Sequence, residues 1–146
     1  MDPGDQAGQH QGGLTMAKRT SIYVEGFGHK NPIPPASKIG NLIFSGSIQG
    51  TDPVTRKLGA TLEEQCALMF ANVRRIVEGG GGSTDDIIKM TVWMVDRSQR
   101  DALNAEWLKA FPDPANRPAR HTMQSDLDLG KLIECDFIAV LGAADA

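Results

Sequence analysis

Between Thr61 and Gly82 the chain spells out one helix with both ends marked. Thr61 is a good N-cap residue, and Glu64 stands three positions on, the spacing of a capping box. Leu62, Cys66, Met69, Phe70, Val73, Ile76 and Val77 recur at intervals of three and four, which lines them along one side of a helix. The run Gly79 to Gly82 then ends it. A helix with one apolar stripe has to lay that stripe on another layer, and the remaining elements must supply it.

Those elements read mostly as strands. Thr20 to Val24 is short and β-prone, and Glu25 to Pro35 is a loop dense in Gly and Pro. Asn41 to Ile48 predicts a strand bent at Gly46, and Gly50 to Gly59 has turn chemistry. Asp86 to Val95 carries β-branched and large apolar residues on both faces, which predicts a central strand covered on both sides. A second helix is expected from Arg97 or Ser98, with Leu103, Trp107 and Phe111 on one side and Pro112 and Pro114 stopping it. Ala119 to Leu127 and Leu132 to Val140 predict two further strands joined as a hairpin around DLGK. Together these elements predict an α+β fold: a mainly antiparallel or mixed sheet with two helices on one face. Ile88, Met90, Val92 and Met94 on one strand face, with Trp93 and Val95 on the other, exceed what two helices cover. The second sheet face is therefore expected to be covered by further copies of the chain.

At 146 residues the chain has the length of one domain. Residues 1–18 are polar, lack the apolar stretch of a targeting signal and read as a flexible tail; residues 19–146 read as a single domain. Lys plus Arg number 15 against 18 Asp plus Glu, a net charge of -3 that argues against nucleic acid as partner. No apolar run approaches the ~20 residues of a membrane span. Cys66 and Cys135 are too few for a disulfide framework, which fits a reducing, cytoplasmic setting.

The last strand carries the clearest chemical pattern. Ile133, Cys135, Phe137 and Ala139 alternate with Glu134, Asp136 and Ile138, so both carboxylates fall on one face. That face is either simply solvated or, if the hairpin forms, shared with Arg120, whose fork suits a carboxylate ligand while a glutamate handles protons. Cys66 and Cys135 both occupy apolar positions and read as core. His10, His29 and His121 fit no metal-ligand spacing. His121 follows Arg120 and should point to the opposite face. The Gly79–Gly82 run lacks the Gly-Lys-Ser/Thr of a phosphate loop.

Pro118-Ala119-Arg120, Leu129-Gly130, Ile133-Glu134 and Ile138-Ala139-Val140 resemble the C-terminal signature of the RidA/YjgF reactive-intermediate deaminases, a family also labelled endoribonuclease L-PSP or translation inhibitor. The resemblance continues upstream through Gly40-Asn41-Leu42-Ile43, Ser45-Gly46, Glu64-Gln65, Asn72-Val73, Ile76-Val77, Asp86 to Val92, Asp96 and Asn104, and covers about residues 38–141. It implies a chorismate-mutase-like α+β fold and a homotrimer with ligand sites in the clefts between subunits. It further implies hydrolysis of enamine or imine acids to 2-keto acids and ammonia, with neither metal nor cofactor. On the matching positions, Arg120 would bind the substrate carboxylate, Glu134 would position or activate water, and Ser45 and Trp93 would line the pocket.

The chain departs from the family pattern in places. The tyrosine expected shortly before Gly40-Asn41 is missing: Ile33 of the NPIPPA stretch stands nearest, and Tyr23 lies too far upstream. The strand between Asn41 and Ser45 is one residue short. Asp136 replaces the second acid of the usual E-x-E, and Phe137 a smaller aliphatic residue. His29 and Lys30 either supply polar contacts in the altered loop or are solvated. Three other readings follow: a 2-aminomuconate-type deaminase of the same family, a nonenzymatic trimer that binds small carboxylates, and the endoribonuclease label, against which the negative charge argues.

Overall fold

The computed structural model describes residues 18–142. Of the tail read over residues 1–18, all but Lys18 lies outside them. Helix α1 runs Leu62–Gly79. Thr61 Oγ1 accepts the N–H of Glu64 at 3.1 Å, while the Glu64 carboxylate reaches past Thr61 to the N–H of Ala60 at 2.8 Å. At the far end Gly81 takes φ +92°, a left-handed conformation that costs glycine little. The N–H groups of Gly81 and Gly82 then close on the carbonyls of Glu78 and Val77. Helix α2, Arg100–Ala110, follows a 3-10 turn at Arg97–Gln99 that Asp96 caps through the N–H of Ser98 at 3.0 Å. It buries Leu103 and Trp107, with Phe111 just beyond its end packed edge-on against Trp107 at 4.8 Å.

The strands are β1 (Thr20–Ile22), β2 (Ala36–Ile39), β3 (Leu42–Ser45), β4 (Ile48–Gln49), β5 (Ile87–Met94), β6 (Ala119–Gln124) and β7 (Ile133–Val140). They form one sheet in the order β1-β2-β3-β7-β5-β6, with β4 also on β7. β3 and β4 are two halves of one strand, both antiparallel to β7 and parted at Gly46, where the bend was expected. β5 and β6 are parallel, and every other pairing is antiparallel, so the sheet is mixed and the fold is α+β.

The expected hairpin of the last two strands does not form. β5 lies between β6 and β7. The chain passes from β5 through α2 to β6, and a helical crossover of that kind delivers its second strand parallel to the first. The segment after Gln124 then carries the chain back past β5 to start β7.

Helices α1 and α2 share one face of the sheet with the core. Ile43, Met90, Val92, Met94, Ile133, Cys135, Phe137 and Ala139 point into it, together with Met69, Val73, Ile76, Val77 and Leu103 from the helices, and all are essentially solvent-free. At about 1.5–3 kcal/mol for each large side chain, this layer is the main source of stability. Ile88 does not join it. A bulge between Ile87 and Lys89 turns Ile87 inward and leaves Ile88 57% exposed, against strict alternation. Nor is β5 covered on both sides: within one chain its Lys89, Thr91 and Trp93 face is bare of helix.

Candidate functional site

The register of the sheet arranges its uncovered face in rows. At one end stand Ile39, Leu42 and Val140, followed by Phe44, Ile138 and Lys89. Ile39, Leu42 and Phe44 are each 43–54% exposed, a set of large apolar side chains that a soluble face rarely displays together. The next row is Asp136, Thr91 and His121, and the last is Gln49, Glu134, Trp93 and Met123. One end of the face is thus apolar and the other carries acids, a histidine and an indole.

Glu134 is half-buried between Gln49 and Trp93, its Cα partners on either side. The alternation read from β7 therefore holds: Glu134 and Asp136 share a face, opposite the buried Cys135 and Phe137. Burial raises the Asp136 carboxyl above the usual carboxylate range, and Thr91 and Lys89 offset part of that rise. His121 lies across Thr91 from Asp136, roughly 10 Å away at two strand spacings.

Arg120 is on the other side. Its Cα partner in β5 is Met90, a fully buried residue of the helix-covered face. Its guanidinium carbon sits 4.9 Å from the centre of the Trp107 ring of α2, a cation–π stack. Nη1 is enclosed and has no hydrogen-bond partner among the described residues. Burial, and secondarily the charge of Arg100, lowers the guanidinium pKa. The expectation that Arg120 and Glu134 share a face is corrected here. With β5 between their strands, the parallel β5–β6 register puts His121, not Arg120, on the face of Glu134.

Ser45 ends β3 on the helix side, paired with buried Ala36. Its Oγ accepts the N–H of Phe137 at 2.9 Å and donates to the carbonyl of Gly46 at 2.8 Å. The hydroxyl fills the gap in the β7 ladder where the bent strand parts. Within one chain the sheet brings Glu134 and Trp93 together, and leaves Ser45 and Arg120 on the opposite side.

Sequence reasoning left the roles of two buried amides unread. Asn72 Nδ2 donates to the carbonyls of Gln49 and Thr51 at 2.9 and 2.8 Å. Gln65 donates to the carbonyl of Gly59 at 3.0 Å and accepts the N–H of Leu132 at 2.9 Å. Both lie on the buried side of α1 and tie it to loops beside β4 and before β7. The signal was available: an amide inside an apolar stripe needs partners.

The two cysteines are buried and unpaired. Burial pushes the Cys66 thiol up to about 12 and the Cys135 thiol well above its ordinary value, so both sit in the core as inert thiols. Among the described residues no group of three His, Cys, Asp or Glu side chains is placed to hold a metal, and no helix is long and apolar enough to cross a membrane.

A family model described as Endoribonuclease L-PSP matches residues 22–141. A RutC family protein of Aquifex aeolicus is 33% identical over 114 residues, 75% of this chain and 90% of that protein. A protein of Escherichia coli K12 named "Putative reactive intermediate deaminase TdcF" is 31% identical over 107 residues, 72% of this chain and 83% of its own. Among solved structures, RidA from the Antarctic bacterium Psychrobacter sp. PAMC 21119 superposes with a TM-score of 0.75 at 26% identity, covering 86% of this chain and all of that one. The YjgF gene product of E. coli gives 0.77 at 27% identity, over 84% and 99% of the two chains.

Proposed function

This chain belongs to the RidA/YjgF family, and from that premise we propose that it hydrolyses imine and enamine 2-carboxylic acids to 2-keto acids and ammonia. The observation that carries the reading is the state of Arg120. It is a guanidinium on the edge strand, stacked on Trp107 and in none of the ion pairs among the described residues, and a substrate carboxylate is the group that would pair with it.

The chemistry asks little of the protein. Water adds to the electrophilic carbon of the C=N bond, giving a carbinolamine, and the C–N bond then breaks to release ammonia and the keto acid. Glu134 takes a proton from the attacking water and passes it to the imine nitrogen, then takes the carbinolamine hydroxyl proton and delivers it to the amine as the C–N bond breaks. Such help is worth roughly a hundredfold to ten-thousandfold. Arg120 fixes the carboxylate, and Trp93 beside Glu134 forms a flat wall for the substrate chain.

Because Arg120 and Glu134 point to opposite sides of one sheet, the proposed site takes the arginine from one subunit and the glutamate from the next in a homotrimer of chorismate-mutase-like subunits. The uncovered apolar rows of Ile39, Leu42, Phe44, Ile138 and Val140 supply a surface for that assembly. The strand break at Ser45–Gly46 would lie along the cleft. The protein is read as cytoplasmic, with neither metal nor cofactor in the reaction.

The test is an imine generated in situ by an amino-acid oxidase, with semicarbazide trapping whatever the protein leaves. Faster imine loss and matching ammonia release are expected with the wild type. Inactivity on alanine-, leucine-, glutamate- and aromatic-derived imines and on 2-aminomuconate would leave a carboxylate-binding trimer in its place.

A further inference from the structure

The loop that departs from the family pattern helps to wall a cleft of about 740 Å³, a size typical of small-molecule sites. The ionisable side chains on its wall are His29, Lys30, Arg56 and Lys131, and no Asp or Glu lines it. That one-sidedness stands out in a chain where acids outnumber Lys plus Arg by 18 to 15. Lys131 is engaged by Asp128 at 3.3 Å. Lys30 and Arg56 are in none of the ion pairs among the described residues. His29 accepts the N–H of Asn31 on Nδ1 at 2.9 Å.

The cleft also has a built floor. Buried Asn72 lines it and holds the carbonyls of Gln49 and Thr51, so the wall is anchored to α1. Ser47 and Gln49 line it too, and Gln49 is the Cα partner of Glu134. The cationic cleft therefore runs up to the strand position next to the carboxylate proposed to act on water.

We propose that this cleft receives a second anionic group at the far end of the substrate, so that the preferred substrates are dicarboxylic imine acids. The inference rests on the deaminase reading for the reacting end and adds the distal site. Lys30 and Arg56, which no acid of the described residues pairs, attract an anion from a distance and hold it at short range, whereas a neutral end gains nothing from them.

L-Glutamate and L-glutamine yield imines of equal length that differ only in a distal carboxylate against an amide. The full chain should process the glutamate-derived imine with a kcat/KM about tenfold higher, chiefly through KM, and salt should erode the difference. Combining Lys30→Gln with Arg56→Gln should bring the two imines to the same level. In calorimetry 2-oxoglutarate should bind more tightly than 2-oxoglutaramate, and the double variant should lose that gap. Equal handling by the wild type, or a preference the double variant keeps, overturns the distal site while leaving the deaminase reading intact. A wild type that turns over neither imine but processes the alanine- or leucine-derived one overturns the distal site. A wild type inactive across the whole panel sinks the deaminase reading, and the two keto acids then decide the cleft: selective 2-oxoglutarate binding lost in the double variant supports it, and its absence overturns it.

Discussion

Arg120 and Glu134 lie on opposite faces of the same sheet, one in register with buried Met90 and the other with Trp93. In the proposed site, a substrate that meets both lies where two chains adjoin. In each chain the arginine is held by the Trp107 stack and the glutamate by its place between Gln49 and Trp93.

Arg120→Ala should abolish imine hydrolysis, and Arg120→Lys should recover little of it, because an ammonium cannot offer two parallel N–H donors to a carboxylate. Losing the stack on Trp107 should also cost about 0.5–1 kcal/mol. Thermal denaturation run beside the semicarbazone assay separates this small loss from the loss of activity.

Glu134→Gln keeps size and hydrogen bonding but loses the base. Binding of a 2-keto acid should persist while turnover falls roughly a hundredfold or more. A fully active variant would remove Glu134 from the proposed role.

Mixing tests the division of the site between subunits. Arg120→Ala and Glu134→Gln chains should each be inactive alone. Co-expressed in equal amounts, they should regain about a quarter of wild-type activity, since random trimers pair an intact arginine with an intact neighbouring glutamate at that frequency. No recovery in demonstrably mixed oligomers would place both groups in one chain's site, and sedimentation as a monomer would remove the shared site altogether.

Asn72→Ala removes a buried amide and leaves the Gln49 and Thr51 carbonyls without their donor. The expected loss is about 2–4 kcal/mol, seen as a lower urea midpoint with an unchanged slope.

Asp136 gives a pH dependence of definite sign. Its folded-state pKa is raised by burial, so between the unfolded value, near 3.8, and the folded one the native state binds more protons than the unfolded state. Stability from this group is then lost as pH rises through that window and stays lost above it. Asp136→Asn, which keeps the shape without the charge, should gain stability relative to wild type between pH 3 and pH 7. A constant difference across that range would contradict the raised value.

Local pattern was enough to read α1 with its Thr61 cap and glycine stop, the bend at Gly46, the side-by-side placement of Glu134 and Asp136, and the α+β class. Each of these depends on residues within a few positions of one another, where helix and strand periodicity act directly. What only the tertiary structure decided was adjacency. The α2 crossover placed β6 parallel to β5 instead of beside β7, and this sent Arg120 to the helix side and His121 to the open face. The bulge that exposes Ile88 and the anchoring by Gln65 and Asn72 depend likewise on partners far along the chain. Periodicity fixes which residues of a strand share a face, but which face looks at the helices depends on the neighbouring strand's register, and that is chosen by packing of the whole core.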